Sequence, residues 1–147
     1  MKFSRQTAIV GIGATEFSKN SGRTPMQLAT ECSLKACEDA GIEPSLINGI
    51  SVFSAEKNTE IEVARNLGIP ELTFFSMIHH GGGAPGGVIQ QAAMAVDSGV
   101  ADYVLVYRAF NERSWHRFGT GVQGRHQSPE AFDVSFSWSS PFGLLTP

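Results

Sequence analysis

The chain has 147 residues, of which 41% are apolar and 17% charged, with a net charge of −3 from 11 basic and 14 acidic side chains. That length supports one hydrophobic core without disulfide or metal staples, and the absence of a basic run excludes a phosphate-backbone footprint of the nucleic-acid-binding kind. Charged residues fall below the usual quarter, so part of the surface is expected to be covered by another subunit or by further chain.

The N-terminal sequence has neither the apolar stretch of a signal peptide nor one long enough for a membrane span; a cytoplasmic location is the expectation. Thr7–Ile12 reads as a first strand, closed by Gly13. Gly11-x-Gly13 matches only part of a dinucleotide fingerprint, because Glu16 holds the third glycine position and no helix starts at that turn. Thr24, Pro25 and Gln27 then form a capping box with proline at the first helical position. Ala29, Cys32, Ala36, Cys37 and Ala40 make a small-residue stripe up to Gly41, a left-handed stop. Cys32 and Cys37, five apart, fit no redox or zinc spacing and read as packing residues.

Ile50–Phe53 is a second strand. Thr59 and Glu62 cap a short helix ending at Gly68, and Pro70 prevents its continuation. A third strand covers Leu72–Met77. The next helix runs from Ala84–Pro85 to Ser98 and is apolar on most sides, which predicts a central position. Tyr103–Tyr107 is a fourth strand whose unbroken apolar run predicts cover on both faces. This alternation gives an α/β fold with a mainly parallel sheet built from repeated β-α-β units. Residues 1–107 form the core. Residues 108–147, rich in Phe and Trp without a regular period, read as a loop region cut short or completed by another chain.

His79-His80-Gly81-Gly82-Gly83-Ala84-Pro85-Gly86-Gly87 joins a strand end to a helix start, where parallel sheets bind ligands. Each helical glycine costs about 1 kcal/mol against alanine. Two readings account for that cost. The glycines let helix and strand pack tightly, or they bare backbone amides to an oxygen gaining negative charge, such as that of a thioester. Adjacent histidines point to opposite sides of an extended segment and make poor chelators, so no metal is assigned. His80 is the candidate proton carrier beside the alternative of a plain turn residue. Arg108, Arg113, Arg117 and Arg125, near Trp115 and His116, are either solvated or suited to phosphates. Ser114 lacks the elbow motif of hydrolases.

Three segments in order resemble the N-terminal part of the thiolase superfamily: Ala8–Phe17, the Ala36–Gly41 helix ending, and Ser98-Gly99-Val100-Ala101-Asp102 leading into Tyr103–Val106. The resemblance implies a thiolase-like layered fold, here its N-terminal half and apparently truncated. Counting back from Asp102 puts Gly82 where condensing thiolases carry their nucleophilic cysteine. That departure is similar to the lipid-transfer, or sterol carrier protein X, branch. The resemblance implies an acyl-CoA-binding protein, part of a retro-aldolase or acyltransferase acting on lipid or steroid side-chain CoA thioesters. Gly81, Gly82, Gly83, Arg113 and His116 would bind substrate, with CoA thioester as substrate rather than a tightly held cofactor. It also implies a homodimer through the core and a zinc-ribbon/OB-fold partner. A non-catalytic scaffold subunit pairing with such a partner is the alternative.

Overall fold

A computed structural model describes residues 6–53, 56, 58–79 and 83–113. Helix α1 spans Pro25–Ala40, a single 3-10 turn Pro44–Leu46, strand β1 Gly49–Phe53 and helix α2 Glu60–Leu67. Strand β2 follows at Phe74–Ile78, helix α3 at Ala84–Asp97 and strand β3 at Val104–Tyr107.

Local chemistry sets the ends of α1 and α2. Thr24 accepts from the Gln27 amide while the Gln27 side chain accepts from the Thr24 amide, and Thr59 and Glu62 repeat the arrangement. Such a cap is worth about 1 kcal/mol. Gly41 and Gly68 close these helices at φ 67° and 71°, a left-handed conformation that costs a side-chain-bearing residue energy.

The strands form one parallel sheet in the order β2-β1-β3. Ile50 pairs with Phe75 and Leu105, and Val52 with Met77 and Tyr107, so these six side chains share a face. On that face Ile50, Val52, Leu105 and Tyr107 join Leu28, Ala29 and Cys37 of α1 and Val63, Ala64 and Leu67 of α2 in the core. Ile50 and Val52 are fully buried, each contributing roughly 1.5–3 kcal/mol by removal from water. Helix α3 lies on the opposite face, where a Cβ on Gly87 would meet Ile78 at 3.2 Å. Gly49 tolerates no side chain there, because its Cβ would stand 2.8 Å from Val104.

Two expectations need correction. First, residues 7–13 are not a strand of the described sheet; they lie along α1 instead. A Cβ on Gly11 would collide with the Ala36 carbonyl and stand 2.8 Å from the Ala40 Cβ, and one on Gly13 would collide with the Cys32 carbonyl. The small residues at 32, 36 and 40 are thus small because a backbone rests on them. The Asp39 carboxylate accepts from the Ile12 amide at 2.8 Å, Lys35 donates to the Ala14 carbonyl, and Arg23 pairs with Glu16 and Glu31. The Glu31 carboxyl is held below its ordinary range by hydrogen bonds from Lys35 and Arg23.

Second, α3 is not central among the described residues. Val88, Ala92 and Ala95 are buried, while Ile89 and Met94 on its other side stay exposed. Strand β3 likewise buries Leu105 and Tyr107 but leaves Val106 exposed. Among the described strands only β1, the middle one, is covered along its whole length. Among the described residues no helix is long and apolar enough to cross a membrane.

Candidate functional site at the carboxyl edge of the sheet

The three described strands point the same way, so their ends at Phe53, Ile78 and Tyr107 gather at one edge of the sheet. His79 follows β2 and is exposed, and His80, Gly81 and Gly82 lie outside the described residues. Gly83 is the cap residue of α3, with φ −82° and ψ −20°, and among the described residues nothing stands within 4 Å of where its Cβ would be. Pro85 occupies the first turn, and among the described residues no side chain caps this helix. That sets α3 apart from α1 and α2, whose first amides are already occupied by capping boxes. Apart from Pro85, which has no N–H, its first-turn amides are of the kind that can receive a negative oxygen.

The two readings of the glycine-rich start divide between residues. Gly87 answers to packing, because Ile78 lies under it, whereas Gly83 and Gly86 face open space. Arg113 is described and exposed, and His116 lies outside the described residues.

Both cysteines are on α1, on the opposite face of the sheet from α3. The Cys32 thiol donates to the Ala29 carbonyl at 3.3 Å, and Cys37 is in the core. Burial pushes both thiols above their ordinary range, which favours the inert protonated form over a nucleophilic thiolate. Among the described residues no three His, Cys, Asp or Glu side chains converge as metal ligands would.

Sequence reasoning missed a buried polar network beside this edge. Glu56 accepts from the Ala109 amide at 2.8 Å and from the Asn58 side chain at 3.0 Å. The Tyr107 hydroxyl donates to the Asn58 carbonyl at 3.0 Å. Burial, reinforced by Glu56, raises the Tyr107 hydroxyl far above its ordinary range. Nothing in the spacing of Glu56, Asn58 and Tyr107 announces this contact, because it joins segments 49 to 53 residues apart.

No family model matches the chain. Two curated relatives are similar over nearly all of it. A protein of Thermomonospora curvata named steroid side-chain-cleaving aldolase is 56% identical over 140 residues, 95% of this chain and 36% of its own length. A protein of Mycobacterium tuberculosis named 17-hydroxy-3-oxo-4-pregnene-20-carboxyl-CoA lyase is 55% identical over 144 residues, 98% of this chain and 37% of its own length. The chain therefore spans little more than about a third of the curated relatives it matches. Among solved structures, an Ltp2-ChsH2(DUF35) aldolase is 54% identical with a TM-score of 0.73, over 95% of this chain and 34% of that one. A monomeric SCP2-thiolase-like protein type 1 from Mycobacterium smegmatis is 25% identical with a TM-score of 0.55, over 67% of this chain and 22% of that one.

Proposed function

The chain is thiolase-like, the N-terminal part of that superfamily's fold in its lipid-transfer form, and from this premise we propose that it serves in retro-aldol cleavage of a steroid side chain carried as a CoA thioester. The observation that carries the reading is identity of 55–56% with two relatives whose names state such cleavage, over at least 95% of this chain.

The chemistry needs no cysteine. A base takes the proton of a hydroxyl β to the thioester, and the bond between the hydroxyl-bearing carbon and the α-carbon breaks. Its electron pair moves onto the thioester carbonyl as an enolate. Protonation of the α-carbon then releases a ketone and a shortened CoA thioester. The role assigned to Gly81, Gly82 and Gly83 is to offer main-chain amides to the enolate oxygen, where one donor is worth about 3–4 kcal/mol. His80 is assigned as a proton carrier, and Arg113 and His116 as substrate contacts. CoA enters and leaves as part of the substrate. The uncapped start of α3 and the open space at Gly83 support the glycine assignment.

Two partners belong to this proposal. One is a subunit of the DUF35 kind, as paired with Ltp2 in the similar structure, which fits the zinc-ribbon/OB-fold partner implied by the family likeness. The other is a second copy of the chain. Among the described residues β2 is an edge strand with exposed Phe75 and Met77 and no charge between Phe74 and Ile78. Such an edge invites antiparallel pairing about a two-fold axis.

The test is to give the full-length protein, with its partner subunit, a 17-hydroxy steroid CoA thioester and follow products by mass spectrometry. Equal amounts of ketone and shortened thioester support the proposal. Release of free CoA with the carbon skeleton intact contradicts it.

A further inference from the structure

The chain leaves β3 without losing the strand's alternation. Leu105, Tyr107 and Ala109 are buried while Val106 and Arg108 are exposed, so the pattern continues past the last sheet pair, Val52 with Tyr107. Three ties hold the inward side. The Tyr107 hydroxyl donates to the Asn58 carbonyl at 3.0 Å, the Ala109 amide to the Glu56 carboxylate at 2.8 Å, and the Asn111 side chain to the Arg23 carbonyl at 3.1 Å. Strand β1 has by then turned away, its Phe53 carbonyl accepting from the Glu56 amide at 2.8 Å. The Glu56 side chain, steadied by the Asn58 amide group at 3.0 Å, reaches back to take the Ala109 amide that β1 no longer meets.

The amino end of the sheet is tied without charge. There the Asn48 side chain accepts from the Asp102 and Tyr103 amides at 2.8 and 3.2 Å, and Thr73 donates to the Val100 carbonyl at 2.7 Å. An amide or a hydroxyl thus suffices to join neighbouring segments. A carboxylate as buried as that of Glu56 costs far more to remove from water. What it adds is a shorter and stronger hydrogen bond, and so a stiffer segment. The stiffened end is the carboxyl one, where parallel sheets bind ligands.

We infer that Glu56 is a positioning residue, which fixes residues 107–111 as a rigid wall of the substrate site without touching the reacting atoms. This role rests on the CoA-thioester reading above.

The test is steady-state cleavage of the steroid CoA thioester by the full-length protein in complex with its partner, with hydrogen exchange of the 107–111 amides followed alongside. Glu56→Ala is expected to raise KM roughly tenfold with kcat within about twofold of wild type, the pattern of lost ground-state binding. Exchange of the 107–111 amides quickens in the same variant. Glu56→Gln keeps an acceptor in the same place and recovers most of the wild-type KM. Asn111→Ala cuts a milder tie on the same segment and raises KM by about threefold. Unchanged KM and exchange in Glu56→Ala, with wild type turning over normally, overturns this role alone. A lowered Tm with unchanged KM makes Glu56 a structural residue only and overturns it too. A loss of kcat in Glu56→Gln as deep as in Glu56→Ala means that the charge itself acts in the reaction, and likewise overturns it. Should Glu56→Ala fail to fold, an unchanged KM in Asn111→Ala overturns the role in its place. Wild type that leaves the thioester intact removes both readings together.

Discussion

Gly11 lies so close to the Ala36 carbonyl oxygen that no Cβ fits between them, and Gly13 stands in the same relation to Cys32 one turn earlier on α1. The two glycines are the contact face of an extended segment laid on a helix. Ile9, Val10 and Ile12 are left exposed by the same arrangement. Gly11→Ala is therefore expected to destabilise the protein by about 1–3 kcal/mol, as overpacking does. Urea unfolding of the full-length protein measures it. A wild-type midpoint would show that the segment is not held there.

The Tyr107 hydroxyl gives an alkaline signature. Its ionisation is pushed upward in the folded state, first by burial and then by Glu56, Glu60 and Glu62. A group raised in this way lends stability that is complete below its unfolded value and lost as pH rises beyond it. Stability should therefore decline above pH about 10, the ordinary tyrosine value. Tyr107→Phe should lower stability at neutral pH by about 0.5–1.5 kcal/mol, the worth of one hydrogen bond, and flatten the alkaline decline. Unfolding curves across that pH range decide the matter. An equally steep decline in the variant would assign it to another group.

The edge of β2 makes a prediction about assembly. Phe75 and Met77 are 68% and 43% exposed on a strand whose outer side is unpaired among the described residues. Phe75→Lys with Met77→Lys should convert a dimer to protomers at micromolar concentration, because inserted charge is how edge strands avoid pairing. Native mass spectrometry reads the result. A dimer that survives both substitutions uses another surface.

Much of the fold was legible because its signals are local. Thr24–Gln27 and Thr59–Glu62 fix helix starts within four residues, and Gly41 and Gly68 fix their ends by backbone geometry alone. The strands at Ile50 and Tyr107 follow from apolar runs between those helices. What escaped was non-local. Thr7–Ile12 has a strand's composition, yet a strand exists only by its neighbours, and the described sheet gives it none. The apolar surround of α3 looked central because periodicity cannot tell a buried residue from one awaiting cover, as Ile89 and Met94 show. At the candidate site, Gly87 proved to serve packing and Gly83 to face open space, a division that composition could not make. The Glu56–Ala109 contact spans 53 residues and left no trace in spacing.

The most direct measurement is the affinity of the full-length protein for a non-cleavable steroid CoA thioester, compared between wild type and Gly82→Trp. With main-chain amides of the glycine-rich start receiving the thioester oxygen, the indole takes that oxygen's place and binding falls below detection while Tm stays near wild type. Equal affinities in the two proteins would contradict the account, because a site that accommodates an indole without loss is not where the oxygen is held.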